Sequence, residues 1–311
     1  MIAFVRRSVF VAVLTGLLFS FASGAQAQTA PQTGLAVSPP TFELSANPGD
    51  TLKNSIRVDN LTDEPLELTA IKRNFTAMGE EGGIDLSEQE GNYSLANWIE
   101  VTPSTFTLPA RESKVFDYTI KVPAMAEPGS RFGSIMFKTA AKPLNDQNGV
   151  AVAQEIGALV FVKVAGEVKE KASIVDFAPQ FNINENGPVG FDIRIKNDGN
   201  VQFKPTGTIT ISNFFGQKVA TIPINAENVL PEATRKMGAS WDNFWLFGKY
   251  EATVSIVYGN DNQILTATTT FWGFPFKLVL GIILACALLG FIIYPRRARI
   301  ARAIKILFGK E

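Results

Sequence analysis

The chain has 311 residues, 29 Lys and Arg against 29 Asp and Glu, one cysteine and no histidine. That length allows two domains with real hydrophobic cores. The missing histidine excludes Ser-His-Asp and Cys-His catalysis, His-ligated zinc and a histidine pH switch, and a lone cysteine excludes an internal disulfide.

The neutral total hides an asymmetry. Gln28 to Phe276 carries 20 basic and 28 acidic residues, whereas Lys277 to the end carries 7 basic and one acidic. An acidic body argues against nucleic acid as a partner, because phosphate contacts need clustered Lys and Arg. An exported body of this size without disulfides favours a bacterial source.

In chain order, Arg6-Arg7, an apolar run from Val9 to Phe21 and the small-residue exit Ala25-Gln26-Ala27 predict a signal peptide over residues 1–27. From Leu35 to Phe271 no long apolar stretch repeats every 3.6 residues. Short runs rich in Val, Ile, Thr and Phe alternate with Gly, Pro, Asn and Asp. Ser55-Ile56-Arg57-Val58-Asp59, Phe191 to Lys196 and Thr253 to Tyr258 each alternate apolar with polar residues, as a half-buried sandwich strand does. The predicted fold is all-β: two tandem immunoglobulin-like sandwiches over residues 28–166 and 167–272. A diverged repeat supports this. Val58-Asp59-Asn60 parallels Ile195-Lys196-Asn197, and Leu108-Pro109 parallels Leu230-Pro231.

The acidic segment Ala77 to Asn97 holds Glu80, Glu81, Asp85, Glu88 and Glu90 among four glycines. It reads as a mobile surface insertion, with a cation site as the sharper alternative. Asn60, Asn74 and Asn92 fit the N-x-Ser/Thr pattern, which matters only in a glycosylating host. Asn60 to Pro65 and Pro143 to Gly149 are candidate recognition loops at the pole of the first sandwich. The aromatic cluster Trp241, Phe244, Trp245, Phe247 and Tyr250 exceeds what one strand's inward face can hold. Trp241, Phe244, Trp245, Trp272, Phe274 and Phe276 are therefore candidate membrane-interface residues, and Tyr250 a candidate corner tyrosine.

Leu278 to Tyr294 is uncharged and apolar, which predicts a transmembrane helix over residues 273–295 with its interfacial flank. The basic flank Arg296, Arg297, Arg299 and Arg302 opens a tail over residues 296–311 and predicts a cytoplasmic C-terminus, with the larger part outside a cell membrane crossed once. No catalytic signature or cofactor fingerprint is present, so no enzyme and no cofactor are expected.

Val37-Ser38-Pro39-Pro40-Thr41-Phe42-Glu43-Leu44, then Pro48-Gly49-Asp50, then Ile56 to Asp63 resembles the opening of PapD-like immunoglobulin folds. The whole order of parts resembles the WxL-interacting cell-surface proteins of Gram-positive bacteria. That resemblance implies a peptidoglycan-binding-type first domain and display of a binding surface to cell-wall polymer or another surface protein. The first strand region, Leu35 to Leu44, lacks the basic anchor residues of pilus chaperones. The alternative is an envelope assembly factor that works like a chaperone through a sheet edge. Display predicts binding through loops; assembly predicts an unpaired strand edge in the first domain.

Overall fold

The computed structural model describes residues 34–140, 142–143 and 151–294. The signal-peptide region 1–27, the basic flank Arg296, Arg297, Arg299 and Arg302, and most of the 143–149 loop lie outside the described residues.

The first set of strands is β1 (Leu35–Ser38), β2 (Thr41–Ala46), β3 (Thr51–Asn60), β4 (Leu66–Met78), β5 (Gly83–Ser87), β6 (Ile99–Val101), β7 (Thr105–Leu108), β8 (Ser113–Lys121), β9 (Gly129–Thr139), β10 (Lys142–Pro143), β11 (Ala151–Val152) and β12 (Glu155–Val164). One sheet runs β1-β3-β8-β6, and the facing sheet runs β2-β12-β9-β4-β5 with β7 also on β4. The second set is β13 (Ala172–Pro179), β14 (Ile183–Asn184), β15 (Val189–Asn197), β16 (Thr206–Asn213), β17 (Lys218–Ile224), β18 (Thr234–Trp241), β19 (Gly248–Tyr258) and β20 (Gln263–Gly273). Its sheets run β13-β15-β18 and β14-β20-β19-β16-β17. Among the described residues no sheet mixes strands from before and after Gly166.

Alternation builds each core. Ile56, Val58, Phe116, Tyr118 and Ile120 face Leu68, Ile135, Phe137, Val160 and Val162, while Arg57 and Asp117 between them stay exposed. In the second sandwich Phe191, Ile193, Ile195 and Met237 face Ile209, Ile211, Val254, Ile256 and Phe271. Each such side chain contributes about 1.5–3 kcal/mol on burial.

The opening strand of each sandwich divides between the two sheets, but at different points. In the first, β1 pairs with β3 over only four residues before the chain crosses at Pro39-Pro40. β2 then runs parallel to β12 for six. In the second, β13 pairs with β15 from Ala172 to Pro179, and β14 reaches β20 at only two positions.

One expectation is overturned. The apolar run forms helix α1 (Phe276–Ile293, 18 residues), but among the described residues no helix is long and apolar enough to cross a membrane. Eighteen residues reach about 27 Å, at the lower end of what a hydrocarbon core of roughly 30 Å requires. The first turn is also spoken for, because Lys277 pairs with Glu185 at 2.6 Å. The crossing helix, the single-pass placement and the assignment of two sides to the chain fall together.

Candidate interaction site

The acidic segment is not a mobile insertion at its start. β4 and β5 form a hairpin whose tip, Gly79 to Gly82, rests on the second sandwich. Arg194 of β15 donates from Nε to Glu80 Oε2 at 2.7 Å and from Nη2 to Oε1 at 2.5 Å. The Lys236 amide of β18 donates to the Glu80 carbonyl at 2.8 Å. Lys236 Nζ lies 3.2 Å from Asp192 and 3.5 Å from Glu81. Gly82, at φ +85°, lies under Arg235, and a Cβ there would stand 1.6 Å from its Nη1. That torsion is what favours glycine, since the Arg235 guanidinium ends a flexible side chain that can move aside. The Arg194 hydrogen bonds hold the Glu80 carboxyl below the usual glutamate range, and Asp192 raises Lys236. Among the described residues no group of acids or cysteine could hold a metal ion.

Further contacts fix the joint. Lys204 reaches Glu43 at 2.5 Å, and Asn228 donates to the same carboxylate at 3.0 Å. The Lys204 hydrogen bond depresses the Glu43 pKa most. Tyr93 Oη donates to Glu232 at 3.0 Å, and the Ser130 amide donates to the Asn200 carbonyl at 2.9 Å. Beneath the hairpin, Phe75, Phe132 and Phe161 form a third apolar cluster with Ile84, Leu86, Tyr93 and Leu230. The hairpin therefore covers aromatic rings on the outer face of the β9–β12 sheet. A cleft of about 530 Å³ remains between the sandwiches, with Thr41, Glu43, Phe161, Lys204, Leu230 and Arg235 in its walls.

A second feature follows from the early crossing of the first strand. On β3, Asn60 pairs with Glu112 and the Asp50 carbonyl accepts from Val122, so even-numbered residues direct their backbone at β8. Odd-numbered residues direct theirs the other way. β1 takes Arg57 and Asp59 but ends there. Among the described residues, Thr51, Lys53 and Ser55 thus present their N–H and C=O groups to an open sheet edge. A recess of about 870 Å³ lies along this edge, lined by Pro39, Phe42, Asn54, Ser55 and Tyr118 among others.

The loop candidates divide. Asn60 is 2% exposed, and its Nδ2 donates to the carbonyls of Glu64, Leu108 and Pro109. It builds its loop rather than offering a ligand contact, and Asn74 is buried in the same manner beneath the Gln89 carbonyl. Of the aromatic candidates, Trp241 is buried against Tyr250 and Phe271. The Tyr250 hydroxyl accepts from the Phe247 amide at 3.1 Å. Phe244, Trp245, Trp272, Phe274 and Phe276 are about half exposed. Sequence reasoning missed the exposed Phe181, Ile183, Phe214 and Phe215. Strand register brings them to the same pole: Ile183 lies opposite Trp272, and Asn213, next to Phe214, lies opposite Tyr250. Only pairing across distant segments reveals that grouping.

No family model matches the chain, and no curated protein matches it. Among solved structures it is similar to a chain of a chaperone–tip adhesin complex of CFA/I fimbriae biogenesis (16% identity, 76% of this chain and 99% of that one, TM-score 0.43). It is also similar to the class 5 fimbriae chaperone CfaA (18% identity, 76% and 98%, TM-score 0.41). A third likeness is to a chain of the Salmonella enterica SafA pilin–SafB chaperone complex (11% identity, 77% and 98%, TM-score 0.38).

Proposed function

We propose that the protein is a non-enzymatic binder of another surface protein and acts as an envelope assembly factor rather than as a display scaffold for wall polymer. The observation that carries this is the open edge of β3 at Thr51, Lys53 and Ser55. Backbone donors and acceptors in a row recognise an extended polypeptide, and polysaccharide cannot complete such a ladder. The loop at Asn60, one of the two that display would use, is closed on itself. The docked hairpin holds the two sandwiches as a frame for that edge. The test is a photo-crosslinker at Ser55 in the full-length chain in its source cells. The reading expects adducts whose peptides, identified by mass spectrometry, join the Ser55 segment to the sequence of another protein. Adducts carrying only wall polymer would overturn it.

A second reading concerns the aromatic pole. We propose that Phe244, Trp245, Trp272, Phe274 and Phe276 rest in a lipid headgroup layer, where amphipathic rings are favoured. Support comes from their joint exposure with Phe214 and Phe215 on one pole. Surface contact of this kind needs no crossing helix. Lipid-attached quenchers should dim Trp245 as well as Trp272. Quenching confined to Trp272 would end this reading.

A further inference from the structure

Tyr118, in the wall of the recess beside β3, carries a polar group that the fold leaves unanswered. Tyr118 is 1% exposed, and its hydroxyl has no hydrogen-bond partner among the described residues. A buried hydroxyl without a partner is costly and calls for an explanation. Burial also raises the Tyr118 pKa, so the group stays protonated and can donate. Its ring meets Phe42 edge-on at 5.3 Å, at the point where the opening strand leaves one sheet for the other. Asn54 pairs with Tyr118 across β3 and β8, and it occupies an inward-facing position between Leu52 and Ile56. A polar residue at a core-facing position is unusual in a closed sandwich. Here it stands where β1 no longer covers β3.

The second sandwich provides the contrast. There β13 covers β15 as far as Phe191, and the inward-facing residues at the matching stretch, Phe191 and Ile193, are apolar and fully buried. Where the edge is covered the inward face is oily. Where it is open the face carries Asn54 and the Tyr118 hydroxyl.

We propose that an extended segment of a partner polypeptide adds to β3 at this recess, antiparallel and in the line of β1. A side chain with a hydrogen-bond acceptor, placed opposite Asn54, answers Tyr118. The inference rests on the polypeptide-binding reading above, which puts the partner on this edge, and adds to it the direction and one required side-chain type. Thr51, Lys53 and Ser55 supply the backbone ladder. The residues flanking the acceptor on the same face pack toward Phe42 and Leu52, so they are apolar. The partner's recognition segment therefore alternates, with small polar residues turned to solvent and an acceptor between two apolar residues turned inward.

The test uses the full-length protein and two acetylated, amidated heptapeptides, Thr-Val-Thr-Asn-Thr-Val-Thr and the same peptide with Leu at the centre. Titrations are followed by the amide resonances. Saturable shifts are expected at Thr51, Lys53 and Ser55. The Asn peptide should bind about tenfold tighter than the Leu peptide, the equivalent of one buried hydrogen bond. Tyr118→Phe should erase that preference. Lys53→Pro should remove binding of both peptides, because the Lys53 amide serves no ladder bond within the fold. If proline at 53 disturbs the sandwich, Tyr118→Phe still decides the matter, since it changes a single hydroxyl. Peptide binding that shifts other amides and spares these three would overturn this site and, with it, the edge on which the polypeptide-binding reading rests. An unchanged Asn preference in Tyr118→Phe would overturn the role of Tyr118. Binding of neither peptide would count against the proposed site, while adducts at Ser55 would still uphold a polypeptide partner.

Discussion

Arg194 on the second sandwich holds both carboxylate oxygens of Glu80 on the first, although 114 positions separate them in the chain. The pair is the centre of the hairpin tip's part of the joint. Both side chains remain about a third exposed, so the pair directs the geometry of the joint more than it stabilises the protein. Arg194→Ala should leave the unfolding midpoint almost unchanged. It should speed exchange of the Lys236 amide, which donates to the Glu80 carbonyl, by about fivefold. Hydrogen exchange read residue by residue checks this, and an unaffected Lys236 would mean the backbone bond alone holds the tip.

The joint should loosen in acid. Hydrogen bonds from Arg194 and Lys204 depress the Glu80 and Glu43 carboxyls in the folded state. A depressed carboxyl contributes above its unfolded value, and the contribution is lost as pH falls through the lower folded value. The radius of gyration from X-ray scattering should therefore be constant near neutrality and rise below about pH 4. Added salt should move it the same way. A joint that tightens on acidification would contradict this assignment.

Asn197 is fully buried. Its Nδ2 donates to the carbonyls of Val201 and Val229, and its Oδ1 accepts from the Gly199 amide. Asn197→Ala strands those groups and should cost about 3 kcal/mol in urea unfolding. Asn60→Ala should cost a similar amount, because Asn60 ties the matching loop of the first sandwich in the same manner. A loss below about 1 kcal/mol at either site would show that water replaces the side chain.

Trp241 and Trp245 should behave oppositely. Trp241 packs on Tyr250 at 5.3 Å, and Trp241→Ala should cost about 3–5 kcal/mol. Trp245 is 52% exposed, and Trp245→Ala should stay within about 0.5 kcal/mol. Acrylamide should quench Trp245 readily and Trp241 little. Equal quenching of the two would contradict their placement.

Strand character was legible because alternation is local. Ile56 and Val58 announce a buried face through their immediate neighbours. The parallel between Asn60 and Asn197 was legible too, since both make the same backbone-tying contacts. The second landmark is offset by one residue. Asn60 reaches the Leu108 carbonyl and Asn197 reaches that of Val229, so Leu108 corresponds to Val229 rather than to Leu230. Arg111 and Glu232, the left-handed residues of the two turns, agree with that offset. Matching Leu-Pro to Leu-Pro follows side-chain identity, whereas the fold matches the torsions of the turn.

The role of the acidic segment was not legible. Glu80 and Glu81 look solvated because their partners, Arg194 and Lys236, lie more than a hundred positions away. The same holds for the aromatic pole, where Phe214 and Phe244 join only through strand register. The apolar C-terminal run was legible as a helix, but hydropathy could not register the pairing of Lys277 with Glu185.

By itself, the sequence determined the chemistry available to this protein: no histidine, no disulfide in the body, and short alternating strands broken by turn residues. Those depend on residue identity and on neighbours one or two positions apart. Tertiary structure alone decided where the opening strand crosses between sheets, and therefore that β3 keeps an open edge beside Tyr118. The physical reason is that a backbone group is free or paired only with respect to a strand distant in sequence, and side-chain pattern does not encode that distance.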